Sequence, residues 1–437
     1  MKTIQRTFKI SLLSLLISAA LLPLSSQAES LSAGLTRILD EHPLMKAVNN
    51  DVMSAKEQIG VERSGWFPRV TLRGTSGHQK IDRDGTINDG KFSPSEATIG
   101  VNQLVWDFGT TNAAIDRAAT NFSKEELERA TQRSNMLLAG IDAHMKLLRA
   151  QQQLDFSKQS EENIKRQTQL ENIRIESGKG YTTDLLQAKS QLAGAQARRV
   201  GAKGAVEVAT NRYKAVFGDT QTPTGRLENV REPAAALPAT LDAALALVET
   251  SNPDLLAARA RAELKGAERE AIRTKEWMPR VDLQAESSGK HLPDGAASSR
   301  KDDKVMLVAS WSFDTGMRAN RATDAAGYAL ISEQEKALYV AKQATEETRN
   351  AWADLTSARE RLAFLKDQVD IANRFLDLAR KEREMGRRSL LDVLQGETNL
   401  INAQADAAAA ESDVVLTSFR VLRAVGKLEP ALVVAGK

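Results

Sequence analysis

The chain is written twice. Trp66-Phe67-Pro68-Arg69-Val70 returns as Trp277-Met278-Pro279-Arg280-Val281, displaced by 211 residues, and Asp107-Phe108-Gly109 returns in looser form as Asp314-Thr315-Gly316. Gly178 with Asp184 returns as Gly386 with Asp392, and Gly218 as Gly426, each displaced by 208 residues. Landmarks in one order at nearly one spacing describe a duplicated structural unit, so fold and function alike must use two similar halves. The spacing is far longer than a solenoid repeat. It divides the chain into a first unit over residues 29–230 and a second over 231–437.

Residues 1–28 read as a secretory signal. Lys2, Arg6 and Lys9 make a basic start, Ile10 to Leu22 an apolar stretch of 13 residues, and Ser26-Gln27-Ala28 places small residues where a signal peptidase inspects them. The stretch stops at Pro23, short of the roughly 20 apolar residues a spanning helix needs, and no later run reaches that length. Without the signal, Lys and Arg balance Asp and Glu at 57 each. A neutral chain lacks the basic excess of a nucleic-acid binder. Cysteine is absent, which excludes disulfides, thiolate metal sites and a lipid-modified N-terminal cysteine. Stability must come from packing, helix length or assembly.

Residues 31–64 and 240–275 have apolar residues at helical spacing and are each interrupted at an X-Pro step, His42-Pro43 and Asn252-Pro253, where the preceding helix should end. Each then runs into a proline that opens an extended segment. After Pro68, Val70, Leu72 and Gly74 alternate with Arg69, Thr71 and Arg73; Val281, Leu283 and Ala285 alternate with Asp282, Gln284 and Glu286. The alternation predicts four strands as two hairpins, at about 68–79 with 96–106 and 279–288 with 304–313. Their connections, residues 80–94 and 288–304, are polar and rich in Gly, Pro and Asp, the composition of solvated loops. Strands of about ten residues suit a tilted transmembrane β-strand. Their alternation suits one lipid face and one aqueous face, and Trp66, Trp106, Trp277 and Trp311 stand near strand ends, where interfacial aromatics belong. A soluble amphipathic sheet alternates in the same way; the export signal favours the membrane reading.

The rest predicts helix. No proline occurs from Thr111 to Ser177, and apolar residues recur three and four apart at Leu137, Ile141, Met145 and Leu148. Gly178-Lys179-Gly180 interrupts this helix and an alanine-rich helix returns, a hairpin over about 110–217. The second copy spans about 318–425 and breaks at Gly386. Small residues let such helices approach closely, but a hairpin this thin has little core and must pack against more helices. Four strands cannot close a barrel, and backbone in a bilayer must be fully paired. The chain should therefore oligomerise, with three copies as the smallest assembly that holds an open channel.

The twice-repeated order of helix, W-x-P-x-V strand, hairpin loop, second strand ending in aromatic-Asp…Gly, long helix, G-x-x-x-x-x-D turn and Ala-rich return helix resembles the TolC family of outer-membrane channel proteins, over residues 29–430. The resemblance implies a mainly α protein with a membrane β-barrel portion: a homotrimer with a 12-stranded barrel in outer-membrane lipid and a 12-helix α-barrel across the periplasm. It implies work with a periplasmic adaptor (membrane fusion protein) and an inner-membrane ABC or RND-type pump, without cofactor or nucleic acid, most consistent with type I protein secretion and alternatively with small-molecule efflux. A periplasmic coiled-coil adaptor is the rival reading, although it needs no apolar-faced strands.

No G-x-S-x-G, H-E-x-x-H or P-loop is present, and His42, His78, His144 and His291 are scattered without ligand spacing. The two helical turns are the better candidates. By resemblance, Asp184 in the first and Arg388 and Asp392 in the second match the gate positions of the family. A carboxylate beside a guanidinium there would hold neighbouring hairpins together, and an Asp392 ring would select against anions. The same aspartates equally suit a role as complements of a helix dipole. Arg383 stands where some relatives carry a tyrosine of the closing network, and Gln395 where some carry a second aspartate. Gly178, Lys179, Gly386 and Arg387 resemble the tips at which adaptor hairpins dock.

Overall fold

The computed structural model describes residues 30–81, 90–178, 180–219, 227–291 and 298–434; the signal segment lies outside them. In chain order the elements are α1 (Leu31–Glu41), α2 (Pro43–Arg63), β1 (Arg69–Ser76), β2 (Gln79–Ile81), β3 (Gly90–Phe92), β4 (Ser95–Trp106), α3 (Thr110–Glu176), α4 (Thr182–Phe217), α5 (Leu241–Ser251), α6 (Pro253–Trp277), β5 (Arg280–His291), β6 (Ser299–Ser310), α7 (Arg318–Glu384) and α8 (Leu390–Ala424).

Each X-Pro step is built as one residue serving two helices. The His42 N–H donates to Ile38 O at 3.1 Å and so ends α1, while its Nδ1 accepts from the Leu44 N–H at 3.2 Å and so starts α2. Asn252 does the same between α5 and α6, through Val248 O at 3.1 Å and the Leu255 N–H at 2.9 Å. Proline occupies the first position of both following helices, where its missing N–H costs nothing. Asn252 goes further: fully buried, it also donates to Ala424 O at 2.8 Å and ties this corner to the end of α8.

The main sheet runs β1-β4-β5-β6, antiparallel throughout, and among the described residues β1 and β6 are its free edges. Val70, Val101, Ala285 and Val305 share one rung, and Leu283 with Leu307 continues that face. It is uncovered: Leu72 is 84%, Val305 71% and Leu307 67% exposed, whereas Asp282 and Ser288 on the opposite face are 6% and 2% exposed. That inverts a water-soluble sheet and suits lipid outside with water within. The polar face carries four ion pairs, Arg280–Asp282 at 2.7 Å, Lys304–Glu286 at 2.9 Å, Lys290–Glu96 at 3.3 Å and Arg300–Asp302 at 2.7 Å.

The hairpins differ from the sequence expectation at their ends. β2 pairs with β3 inside the segment expected to be loop, and β5 and β6 pair as far as His291 and Ser299. Beyond the Ser287–Asp303 rung both faces are polar, so alternation disappears while the backbone ladder continues. β6 stops at Ser310, not 313; Trp311 and Phe313 lie past it with ring centroids 4.6 Å apart. The indole N–H of Trp311 donates to Trp277 O at 3.2 Å and that of Trp66 to Asn112 Oδ1 at 3.3 Å, pinning amphipathic rings where the sheet meets the helices.

α3 and α7 are each 67 residues, ~100 Å at 1.5 Å per residue. Each folds back on a shorter partner, α4 or α8. The seam of α4 is narrower than its alanine content suggests: Ala188, Ala195 and Ala202 are buried, seven apart, while Ala193, Ala197 and Ala205 face outward. A seven-residue repeat is the period of a supercoiled helix pair. The main core lies at mid-length, where Leu35 and Ile38 of α1, Leu137 and Ile141 of α3, Phe217 of α4, and Phe419 and Leu422 of α8 converge.

Candidate functional site

At the end of the hairpins far from the sheet, both turns have one construction. The Gly178 N–H donates to Ile175 O at 2.9 Å, the Gly386 N–H to Arg383 O at 2.9 Å, and the two glycines have φ of 71° and 73°. A left-handed residue just past a helix end caps the last carbonyls, and glycine takes that conformation without steric cost. A Cβ at either glycine would meet nothing within 4 Å, so conformation and not packing selects glycine here. Arg387 is exposed, and its N–H donates to Glu382 O at 2.9 Å; Lys179 lies outside the described residues.

Asp184 lies half-buried in the first turn of α4. Asp392 is exposed in that of α8, its N–H donating to the Ser389 hydroxyl at 3.1 Å. Neither carboxylate bonds to another described residue. Both occupy helix N-termini, where negative charge is stabilised. Arg388 does not reach them: its Nε donates to Glu382 Oε2 at 2.7 Å, and its guanidinium lies 5.2 Å from the Phe375 ring centroid, both along its own hairpin.

The link between hairpins is made by residues outside that trio. Arg383 Nη2 at the end of α7 donates to Glu171 Oε2 on α3 at 3.0 Å, and Nη1 to Arg388 O at 3.3 Å. The Glu171 side chain is 4% exposed. One turn away on the same hairpin, Arg380 pairs with Glu397 at 2.9 Å, and Glu397 is 3% exposed. Buried carboxylates of this kind depend on their guanidinium partners, since an unpaired buried charge is costly. The sequence carried one signal for Glu171: it continues the stripe of Ile164 and Thr168, a carboxylate at a seam position.

These ion pairs hold helix ends together; among the described residues no cluster suits a metal ion. The profile of the family described as Outer membrane efflux protein matches residues 34–219 and 244–427, which covers both hairpins. The chain belongs to this family. Outer membrane efflux protein BepC of Brucella suis biovar 1 (strain 1330) is 24% identical over 412 residues, spanning 92% of this chain and 86% of BepC. Alkaline protease secretion protein AprF of Pseudomonas aeruginosa is 24% identical over 436 residues, 96% of this chain and 89% of AprF. The crystal structure of outer membrane protein VceC from Vibrio cholerae superposes with a TM-score of 0.76 at 18% identity, covering 91% of this chain and 96% of VceC. As a TolC-family outer membrane efflux protein, the chain is an outer-membrane channel component and not an enzyme.

Proposed function

We propose that three copies close their sheets edge to edge, β6 of one against β1 of the next, into a twelve-stranded barrel continued by twelve helices. The observation that carries this is the uncovered apolar face of a four-stranded sheet whose two edges are free. Free edges inside a bilayer would leave backbone groups unpaired, and copies of the same sheet supply the missing partners. The channel would receive substrate from an inner-membrane pump through a periplasmic adaptor and release it outside.

The cargo is protein delivered by type I secretion, a reading supported by near full-length similarity to AprF and by a chain without cysteine. Similarity to BepC supports small-molecule efflux as the second reading. Deleting the gene and comparing secreted proteins with drug susceptibility separates them: lost secretion with unchanged susceptibility carries the first, and the reverse carries the second.

The tip serves as gate and dock. Asp184 and Asp392, without partners among the described residues, line the constriction, and Arg388 braces its own hairpin beside them. Gly178, Lys179, Gly386 and Arg387 receive the adaptor. Bulky residues at Gly178 and Gly386 abolish export and leave the trimer in the membrane; normal export from that double variant would refute the docking role. Mild extraction from the outer membrane, mass measurement and planar-bilayer conductance test the trimer itself.

A further inference from the structure

The polar face of the main sheet holds six cationic side chains and four carboxylates, and each carboxylate is taken by one of the four ion pairs described above. The two cations left over are Arg69 and Arg73, both exposed and both on β1, without an ion-pair partner among the described residues. The register fixes their place. Arg69 shares a rung with Asn102 and Gln284, and Arg73 with Thr98 and Ser288, so both flank the apolar belt on the side away from lipid. Four residues apart on one strand, they stand ~13 Å apart along it.

We propose that Arg69 and Arg73 form two rings of unpaired guanidiniums inside the barrel, at the end of the channel away from the Asp184 and Asp392 constriction, an anion-binding stretch that retains small solutes bearing phosphate, sulfate or carboxylate groups. The inference rests on the trimeric barrel proposed above. Guanidinium presents a rigid fork that such groups accept, and rings of Arg or Lys are how anion and phosphate pores select. A carboxylate of the neighbouring copy would neutralise these arginines only by giving up its own partner. The apolar belt outside would give the lumen low-dielectric walls, which focus the field of the arginines more than an open surface does.

The test uses the full-length trimer in planar bilayers with pyrophosphate as the probe. At 0.1 M KCl, pyrophosphate should block the wild-type channel, and R69Q/R73Q should raise the half-blocking concentration roughly tenfold, while 1 M KCl should erase the difference because the screening length falls to ~3 Å. Glu286→Gln, which releases Lys304, should shift block in the opposite direction. Unaltered single-channel conductance in 1 M KCl shows that each variant still forms the barrel. Equal block of wild type and double variant overturns the inference and leaves the channel standing, whereas a wild-type protein that is recovered as a monomer or dimer and forms no trimer overturns both.

Discussion

Arg383 on the second hairpin reaches Glu171 on the first at 3.0 Å, across 212 residues of sequence, and among the described residues this is the ion pair that joins the two hairpins at their tips. Removing the guanidinium leaves the buried Glu171 carboxylate with only the weaker pair to Arg174, 3.9 Å away on its own helix; breaking a fully buried pair costs ~3 kcal/mol or more, and the cost is less here because Arg174 remains and Arg383 is 21% exposed. Arg383→Ala should therefore loosen the tip, seen as raised single-channel conductance with little change in barrel stability. The exchange E171R/R383E should restore part of the wild-type conductance. Unaltered conductance in Arg383→Ala would show that the tip is held elsewhere.

Gly426 has φ of 71°, and a Cβ there would overlap the carbonyl oxygen of Ser251. Gly386 has nearly the same φ and open space. Gly426→Ala should thus bear both backbone strain and a clash, and Gly386→Ala the strain alone, about 1 kcal/mol. Thermal denaturation of the extracted protein should rank Gly426→Ala well below Gly386→Ala, and equal midpoints would contradict the packing described for this corner.

His144 is buried at 3% exposure beside Tyr213, its Nε2 3.0 Å from Glu228 O and its Nδ1 without a partner among the described residues. Burial pushes its pKa below the ordinary value of 6.5, against smaller opposing contributions from the Glu228 carbonyl and charge. The unfolded chain then takes up the proton first, so stability is full above about pH 6.5 and falls as pH drops below it. Denaturation midpoints should decline between pH 7 and pH 5 in the wild type and decline less in His144→Gln; parallel curves would remove His144 as the cause.

Val305 and Met306 are neighbours on β6 that face opposite sides of the sheet. Arginine at a lipid-facing position near the bilayer midplane costs ~2–4 kcal/mol, and a lumen substitution far less. Val305→Arg should lower the amount of assembled protein in the outer membrane, and Met306→Arg should leave it near wild type. Equal losses would mean that the two faces are not lipid and water.

The order of helix, strand and long hairpin was legible because each depends on spacing within a short window: alternation at Val70 and Leu72, three-and-four spacing from Leu137 to Leu148, and glycine at the two turns. The strand ends from Gly289 to His291 and from Ser299 to Asp303 were not, because residues polar on both faces lose the alternation while the ladder continues. The turn aspartates and Arg388 could be placed near the tip, but not paired, since Arg388 finds a local glutamate and a ring. Glu171 was hidden for a different reason: its partner is set by the docking of two hairpins, which no local pattern records.

The equal lengths of α3 and α7 couple the evolution of the two halves. Both begin beside the sheet and must end in one plane for Arg383 to meet Glu171, so two added turns in one helix alone would carry its tip ~10 Å past the other. Insertions and deletions along these helices are tolerable only in matched pairs, and a lineage that lengthens its reach must edit its gene at two places some 208 codons apart.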